Sequence, residues 1–135
     1  MGDADALEEL GIRRTLAQYC HHCDDGDFDR LVALFAPDAV VVYGTTQAHG
    51  HAQLRAFFVE RQGLPGQRGK HLTLNSVVDV DRDRARALSD FVVLGVVDGS
   101  LTPVYGGRYR DDLVRREGGW RFARRQIVRM DAPAG

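Results

Sequence analysis

The second half of the chain restricts the fold most, because it consists of four strand-forming runs joined by tight turns. The runs are His71–Val80, Ala85–Val97, Val104–Arg116 and Trp120–Met130. Asp, Gly and Ser residues separate them, and these residue types favour hairpin turns. Consecutive strands joined by hairpins form an antiparallel meander. We therefore expect a sheet built mainly from the second half of the chain.

The first half begins with helices. Between Leu7 and Asp24, apolar residues recur at spacings of four, three, one and three, which places them on one helix face. They are Ile12, Leu16, Tyr19, Cys20 and Cys23. A second helix follows the break at Gly26, with Asp27 as its cap. Its apolar stripe runs from Phe28 to Phe35, and Pro37 ends it.

The segment between these helices and the meander is expected to hold one short strand and one more helix. Residues Ala39–Tyr43 are rich in β-branched side chains and predict a buried strand, followed by a loop over Gly44–Gly50. A third helix is predicted from about His51 to Gln62. Helices followed by a meander indicate an α+β protein in which the helices cover one face of a curved sheet. Since no linker or repeat divides the chain, residues 1–135 are expected to form a single domain.

Composition argues against several kinds of partner. The 135 residues carry a formal net charge of −1, so no general positive field attracts nucleic acid or an anionic membrane. No apolar run is long enough to cross a bilayer. The acidic N-terminal residues do not resemble a signal peptide. We expect a cytoplasmic protein with no nucleic-acid or membrane partner.

The stretch YCHHCDDGDF concentrates thiols, imidazoles and carboxylates at the end of the first helix. A zinc site is not expected, because His21 and His22 project away from the cysteine face and no second cysteine pair exists. A redox pair is not expected either, since both thiols lie late in a helix that follows no strand. The cysteines are interpreted as core residues. Asp24 is either a solvated helix end or an acid in a pocket.

Polar residues also recur on the first strand of the meander. Alternation places His71, Thr73 and Asn75 on one face, where Tyr43 and Tyr19 could reach the same space. This group is either the lining of a cavity or a buried histidine with ordinary hydrogen-bond partners.

Three motifs carry a resemblance that spans nearly the whole chain. They are D-x-G-D-x-D-x-L-x-x-L-F-A-P-D-A from Asp24, H-x-x-x-N from His71, and G-G-R-Y-x-D-x-L followed by G-G-W-R-F-A-R-R. In this order they resemble the SnoaL-like branch of the nuclear-transport-factor superfamily, which is similar in layout to scytalone dehydratase, ketosteroid isomerase and bile-acid 7α-dehydratase. The resemblance implies an α+β cone: a curved antiparallel sheet with N-terminal helices closing a central pocket. It also implies a homo-oligomer of two or three chains.

The resemblance implies roles for individual residues. His71 matches an acid/base histidine and Asp24 the aspartate that works with it, while Tyr43 and Tyr19 match tyrosines that contact substrate. The candidate substrate-binding residues are Asn75, Asp90, Phe91, Phe58, Trp120 and Arg108. Of these, Asp90 points inward only if a bulge shifts the strand register. Trp120 is also interpreted as a core residue. The second pocket histidine of scytalone dehydratase has no counterpart, since its strand offers Phe91, Val93 and Gly95 here.

The resulting hypothesis is an enzyme that needs neither metal nor cofactor. It would be an isomerase, dehydratase or cyclase acting on an apolar cyclic carbonyl compound of polyketide or steroid type, with His71 as base and Asp24 as its orienter. One alternative is a ligand-binding or assembly domain of the same fold. Another is an epoxide hydrolase of the limonene type, in which Arg108, Arg110 and Asp112 would face Asp24 across the pocket.

Overall fold

The computed structural model describes residues 2–131 and contains, within them, three α-helices and six β-strands. The helices are α1 (Asp3–Asp25), α2 (Phe28–Ala33) and α3 (Gly50–Gln62), and a short 3-10 turn follows at Pro65–Gln67. The strands are β1 (Phe35–Tyr43), β2 (Thr46–His49), β3 (Lys70–Asp81), β4 (Arg84–Val97), β5 (Ser100–Arg116) and β6 (Gly119–Arg129). The predicted α+β class, with N-terminal helices and a C-terminal meander, is confirmed.

All of the strands belong to one curved, unclosed sheet in the order β2-β1-β6-β5-β4-β3. The meander from β3 to β6 is antiparallel throughout, and β2 folds back antiparallel on β1. The exception is β1, which pairs with β6 in parallel, with Val41 opposite Arg125. The sheet is therefore mixed, whereas the sequence predicted only antiparallel pairing.

The boundary between α2 and β1 lies earlier than predicted. The helix ends at Ala33 and the strand begins at Phe35, where the sequence predicted helix. Pairing with β6 is responsible: Phe35 lies opposite Phe122, whose amide donates to the Leu34 carbonyl at 2.9 Å. Tertiary pairing thus overrides the helical spacing. The strand β2 also replaces a predicted loop, because Gly44 (φ 59°) turns the chain back along β1.

The register shifts within each pair of the meander. The shifts lie between Leu74 and Val77 against β4, at the Val93/Leu94 step against β5, and at the Asp112/Leu113 step against β6. A bulge adds one residue, and because side chains alternate with period two, it reverses which later residues face the core. His71 and Val78 are consequently both buried although an odd number of positions separates them.

The helices pack on the concave face of the sheet, where most of the core lies. Tyr19 of α1 stands at its centre and makes edge-to-face contacts with aromatic rings from β1, α3, β5 and β6. These rings belong to Phe35, Phe58, Tyr109 and Phe122. None of the helices within residues 2–131 is long and apolar enough to span a bilayer.

Candidate active site

A histidine and an aspartate from different elements meet where α1 ends against β3. The helix stops because Gly26 takes up a left-handed conformation (φ 67°), so Asp24 lies in its last turn. The Asp24 carboxylate accepts from His71 Nδ1 at 2.7 Å and from the His71 backbone amide at 3.1 Å. Both side chains are at most 10% exposed. The amide bond fixes the carboxylate relative to the strand, and the ring bond then fixes the imidazole.

This pairing determines which imidazole nitrogen is free. An ionised carboxylate only accepts hydrogen bonds, so Nδ1 of His71 carries the proton that points to Asp24. In the neutral ring, Nε2 therefore carries the lone pair. No hydrogen-bond partner for Nε2 is present in residues 2–131. Asp24 therefore fixes the ring of His71 and leaves its Nε2 without a hydrogen-bond partner among the described residues.

His71 lies in the wall of a cavity of about 270 Å³ between the sheet and the helices. Aromatic rings supply most of the wall. The lining residues are Tyr19, Cys23, Tyr43, Phe57, Phe58, Arg61, Gln62, Gln67, His71, Phe91, Tyr105, Tyr109, Ile127 and Arg129. A mostly apolar wall with a few polar groups is typical of a small-molecule site.

Tyrosine hydroxyls are the main neutral hydrogen-bond donors on this wall. Burial raises the pKa of Tyr19 and of Tyr109 well above the ordinary value, and it also raises the pKa of Tyr105. These phenols stay protonated at neutral pH. Each can therefore donate to an oxygen of a bound molecule.

A buried ion pair supports two of these tyrosines from behind. Arg125 of β6 binds Asp111 of β5 through two parallel hydrogen bonds of 2.8 and 3.0 Å, and neither side chain is exposed. The guanidinium stacks 4.1 Å from the Tyr19 ring centre and 3.7 Å from that of Tyr109. Burial alone would lower the pKa of Arg125, but the Asp111 carboxylate outweighs it and raises the pKa. The pair fixes the positions of both phenol rings.

The two cysteines contribute packing. Cys23 lines the cavity, and burial raises the pKa of its thiol to about 12, so it is neither a thiolate nucleophile nor a ligand at neutral pH. Cys20 lies with its sulfur 3.1 Å from Thr73 Oγ1, and burial raises its pKa as well. Among residues 2–131, no three His, Cys, Asp or Glu side chains converge as metal ligands.

The structure brings together six of the ten residues that the sequence nominated. Five of them line the cavity, and these are Tyr19, Tyr43, Phe58, His71 and Phe91. Asp24 lies directly behind His71. Phe91 stacks face to face on Tyr109, with ring centres 4.3 Å apart, and so forms a flat apolar wall.

Three of the remaining residues lie on the outer face of the sheet, which corrects their assignment to the pocket. Asn75 falls in the β3 bulge with a positive φ of 56°, and its amide donates to Asp90. Asp90 pairs in register with Arg108, which binds its carboxylate at 3.0 Å. No bulge intervenes to turn Asp90 inward. Hydrogen bonds from Asn75 and then Arg108 lower the pKa of this exposed carboxyl group.

Trp120 is also outside the cavity. It is buried, and its indole Nε1 donates to Glu8 near the start of α1 at 2.7 Å. The Trp120 carbonyl accepts from Thr15 Oγ1 at 3.0 Å. Trp120 therefore anchors α1 to β6 and does not line the pocket.

The residues on which the epoxide-hydrolase alternative depends also lie outside the cavity. Arg108, Arg110 and Asp112 are exposed on the outer face of the sheet.

Sequence reasoning missed several residues of the wall. They are Cys23, Phe57, Arg61, Gln62, Gln67, Tyr105, Tyr109, Ile127 and Arg129. Tyr109 could have been found, because it alternates in phase with the apolar Leu113 on β5. Arg61 and Gln62 gave no comparable signal, since polar residues at the end of a helix are usually solvated.

The profile of the SnoaL-like domain matches residues 4–126, so the chain belongs to the SnoaL-like domain family. An NTF2-like protein with a cystatin-like fold from Novosphingobium aromaticivorans has a TM-score of 0.86 and 26% identity, over 96% of this chain and 86% of that one. A candidate scytalone dehydratase from the same organism has a TM-score of 0.84 and 25% identity, over 100% and 94%. A candidate aromatic ring hydroxylase, also from that organism, has a TM-score of 0.81 and 28% identity, over 96% and 94%. No protein of curated function matches the sequence.

Proposed function

We propose that this protein is a cofactor-independent acid/base enzyme, namely an isomerase, dehydratase or cyclase, that acts on an apolar cyclic carbonyl compound. The observation that carries the proposal is the 2.7 Å contact between Asp24 and His71 Nδ1 in the wall of an aromatic cavity. The similar candidate scytalone dehydratase supports the same reaction class. Under this proposal, Asp24 positions the histidine, and His71 is the catalytic residue.

The proposed reaction begins with proton transfer to His71 Nε2 from the carbon beside a carbonyl group. The electron pair of the broken C–H bond moves into an enolate, and the imidazole becomes an imidazolium. Asp24 stabilises that cation through the existing hydrogen bond at Nδ1. The imidazolium then returns the proton to another carbon, which gives isomerisation, or to a departing hydroxyl group, which gives dehydration.

The enolate oxygen needs a donor that is already in place. Tyr19, Tyr43 and Tyr109 present phenol groups on the same cavity wall as His71. Hydrogen bonds in a water-poor site stabilise developing negative charge more strongly than they do in water. Tyr19 is the best placed by burial, since it is 3% exposed and its ring centre lies 6.5 Å from that of His71.

Cavity size narrows the proposed substrate. About 270 Å³ lies at the lower end of the range usual for small-molecule sites, about 300 to 1,000 Å³. This volume favours a ligand of one or two rings over a four-ring steroid. The flat pair of Phe91 and Tyr109 suits a planar ring system.

The test uses 2-tetralone, a two-ring ketone with exchangeable hydrogens beside its carbonyl. Proton NMR in D₂O follows deuterium incorporation at those carbons, so the readout requires only the proton abstraction and no knowledge of the natural product. We expect the protein to accelerate exchange, and His71→Ala to lower that acceleration by at least about 10²-fold because it removes the base.

His49→Ala is the matched control. His49 is an exposed histidine of β2 that contacts Gln47 and does not line the cavity, so its loss should leave the exchange rate unchanged. Equal exchange by the His71→Ala variant and the unsubstituted protein would contradict the assignment of the base.

The second candidate function is a binding domain without chemistry. It is favoured by one observation: Phe91 lines the cavity and Val93 is buried beside it, where a two-histidine dehydratase would have its second imidazole. Such a domain would bind 2-tetralone without accelerating exchange, and His71→Ala would alter only affinity. The same experiment therefore separates the two functions.

We further propose that the protein assembles as a homo-oligomer of two or three chains. Leucines exposed on the strands support this, since Leu74 of β3 is 44% exposed and Leu101 of β5 is 71% exposed. Exposed apolar area of this kind often marks a contact between chains. Sedimentation equilibrium checks the proposal directly, and a single-chain mass would exclude it.

A further inference from the structure

The charge on the cavity wall is one-sided. Among the lining residues within 2–131 there are two arginines, Arg61 and Arg129, and no aspartate or glutamate. Asp24 pairs with His71, and Asp131 pairs with Arg129, but neither carboxylate lines the cavity. A ligand in the cavity therefore meets cations with no competing carboxylate on the surface that it touches.

Arg61 is available to a ligand. Its guanidinium lies 4.0 Å from the ring centre of Phe57 and 5.1 Å from that of Tyr43, so stacking holds it in place. Its ion-pair partner is Glu60, at 3.7 Å, and the Glu60 side chain is 80% exposed. An exposed pair at that distance is weak. The positive charge of Arg61 is consequently positioned but hardly neutralised.

Arg129 contacts the hydroxyl group of Tyr43. Asp131 binds its Nε and Nη2, which leaves Nη1 to donate to the Tyr43 hydroxyl at 3.4 Å. Arg129 also stacks 4.5 Å from the ring centre of Tyr105. The Tyr43 phenol therefore contacts two guanidinium groups, and Arg61 carries the less neutralised charge of the two. We call Arg61, Tyr43 and Arg129 the cationic cluster.

The cationic cluster and His71 differ in depth. The side chains of Arg61 and Arg129 are each 33% exposed, whereas that of His71 is 7% exposed. The cluster thus lies toward solvent, and the base lies in the interior. A ligand that uses both must carry its anionic group at one end and its reactive carbonyl at the other.

We propose that the cavity selects cyclic ligands that carry a carboxylate, with the ring system against Phe91 and the carboxylate bound by Arg61 and the rest of the cationic cluster. The inference deepens the proposed function, on which it rests for the chemistry at His71. It assigns a polar anchor to a site whose other walls are apolar, and it makes a ring acid a better ligand than the neutral ketone of the same size.

The test compares 2-naphthoate with 2-naphthamide, two ligands of nearly the same shape that differ in charge. Isothermal titration calorimetry at pH 7 and low salt measures both affinities. We expect 2-naphthoate to bind at least about 10-fold more tightly, because charge-assisted hydrogen bonds are stronger than neutral ones. Arg61→Gln should remove about that factor for 2-naphthoate and leave the amide within about twofold.

Arg55→Gln is the matched control, since Arg55 lies on the same helix, is exposed, pairs with Asp29 and does not line the cavity. It should change neither affinity. Equal affinity for the two ligands, no binding of either, or equal effects of the Arg61 and Arg55 variants would each overturn the proposal. Exchange of 2-tetralone, a neutral ketone, reports on His71 separately, so failure of the acid/base mechanism is distinguishable from failure of the anionic site.

Discussion

Two aspartate–arginine pairs lie on opposite faces of the same sheet, and they differ in burial and in what they contact. Asp111 and Arg125 face the core with no exposed surface, and two short hydrogen bonds join them. Asp90 and Arg108 face outward with side chains 39% and 47% exposed, joined by one contact at 3.0 Å. The inner pair supports the tyrosines of the cavity, whereas the outer pair is solvated and holds only the bulge at Asn75.

The effect of each ion pair on stability depends on its burial more than on the distance between its charged groups. In the core, a charge that loses its partner cannot recover its hydration. On the outer face, water replaces a lost partner at little cost. The inner face therefore specifies the geometry of the cavity, and the outer face tolerates change.

Breaking the two pairs should give the largest contrast. Asp111→Ala is expected to lower the free energy of unfolding by about 3–5 kcal/mol, because Arg125 is left buried and unpaired. Asp90→Ala should leave the urea midpoint unchanged. Urea denaturation followed by circular dichroism measures both. The double variant Asp111→Leu/Arg125→Met should recover much of the loss; equal losses from Asp111→Ala and Asp90→Ala would mean that burial is not the cause.

The two faces should also differ in their effect on chemistry. Asp24→Asn keeps the size of the side chain but removes the charge that stabilises the imidazolium of His71, so we expect deuterium exchange into 2-tetralone to slow by at least about 10-fold. Asp90→Asn, the same change on the outer face, is the control and should have no effect. A normal rate with Asp24→Asn would show that His71 works without its orienter.

The smallest expected effect is a pH dependence of stability caused by a buried thiol. Burial raises the pKa of Cys23 to about 12 in the folded protein, whereas the unfolded thiol titrates near about 8.5. The unfolded state therefore loses its proton first, and stability falls as pH rises above that lower value. We expect a loss of about 0.8 kcal/mol from this thiol by pH 9, which Cys23→Ala abolishes. A difference between pH 7 and pH 9 that is the same in both proteins would contradict it.

The order of helices and strands could be predicted from the sequence because its signals are local. The helical spacing from Ile12 to Cys23 and the turn residues between the strands required no tertiary information. Where a distant strand decides the structure, local signals fail. Phe35 is such a case, since it belongs to β1 only because β6 lies beside it.

The sheet face of each site residue could be predicted only where its strand alternates regularly. His71 precedes the β3 bulge and was placed correctly, whereas Asn75 lies in the bulge and was placed on the wrong face. On β6, Asp112 and Leu113 lie opposite Arg124 and Phe122, so the extra residue is Ala123. That bulge lets Arg125 share the inner face with Phe122. A bulge arises from the fit between strands, and one strand read alone does not reveal it.

The proposed mechanism requires Asp24 to hold the neutral ring of His71 with Nε2 unprotonated. Nitrogen-15 NMR of the imidazole side chains measures this tautomer, with the His71 signals assigned by their loss in the His71→Ala variant. We predict that the neutral ring of His71 is protonated at Nδ1 and not at Nε2, and that 2-tetralone shifts the Nε2 resonance. A ring protonated at Nε2, or an Nε2 resonance that the ketone leaves unchanged, would contradict it.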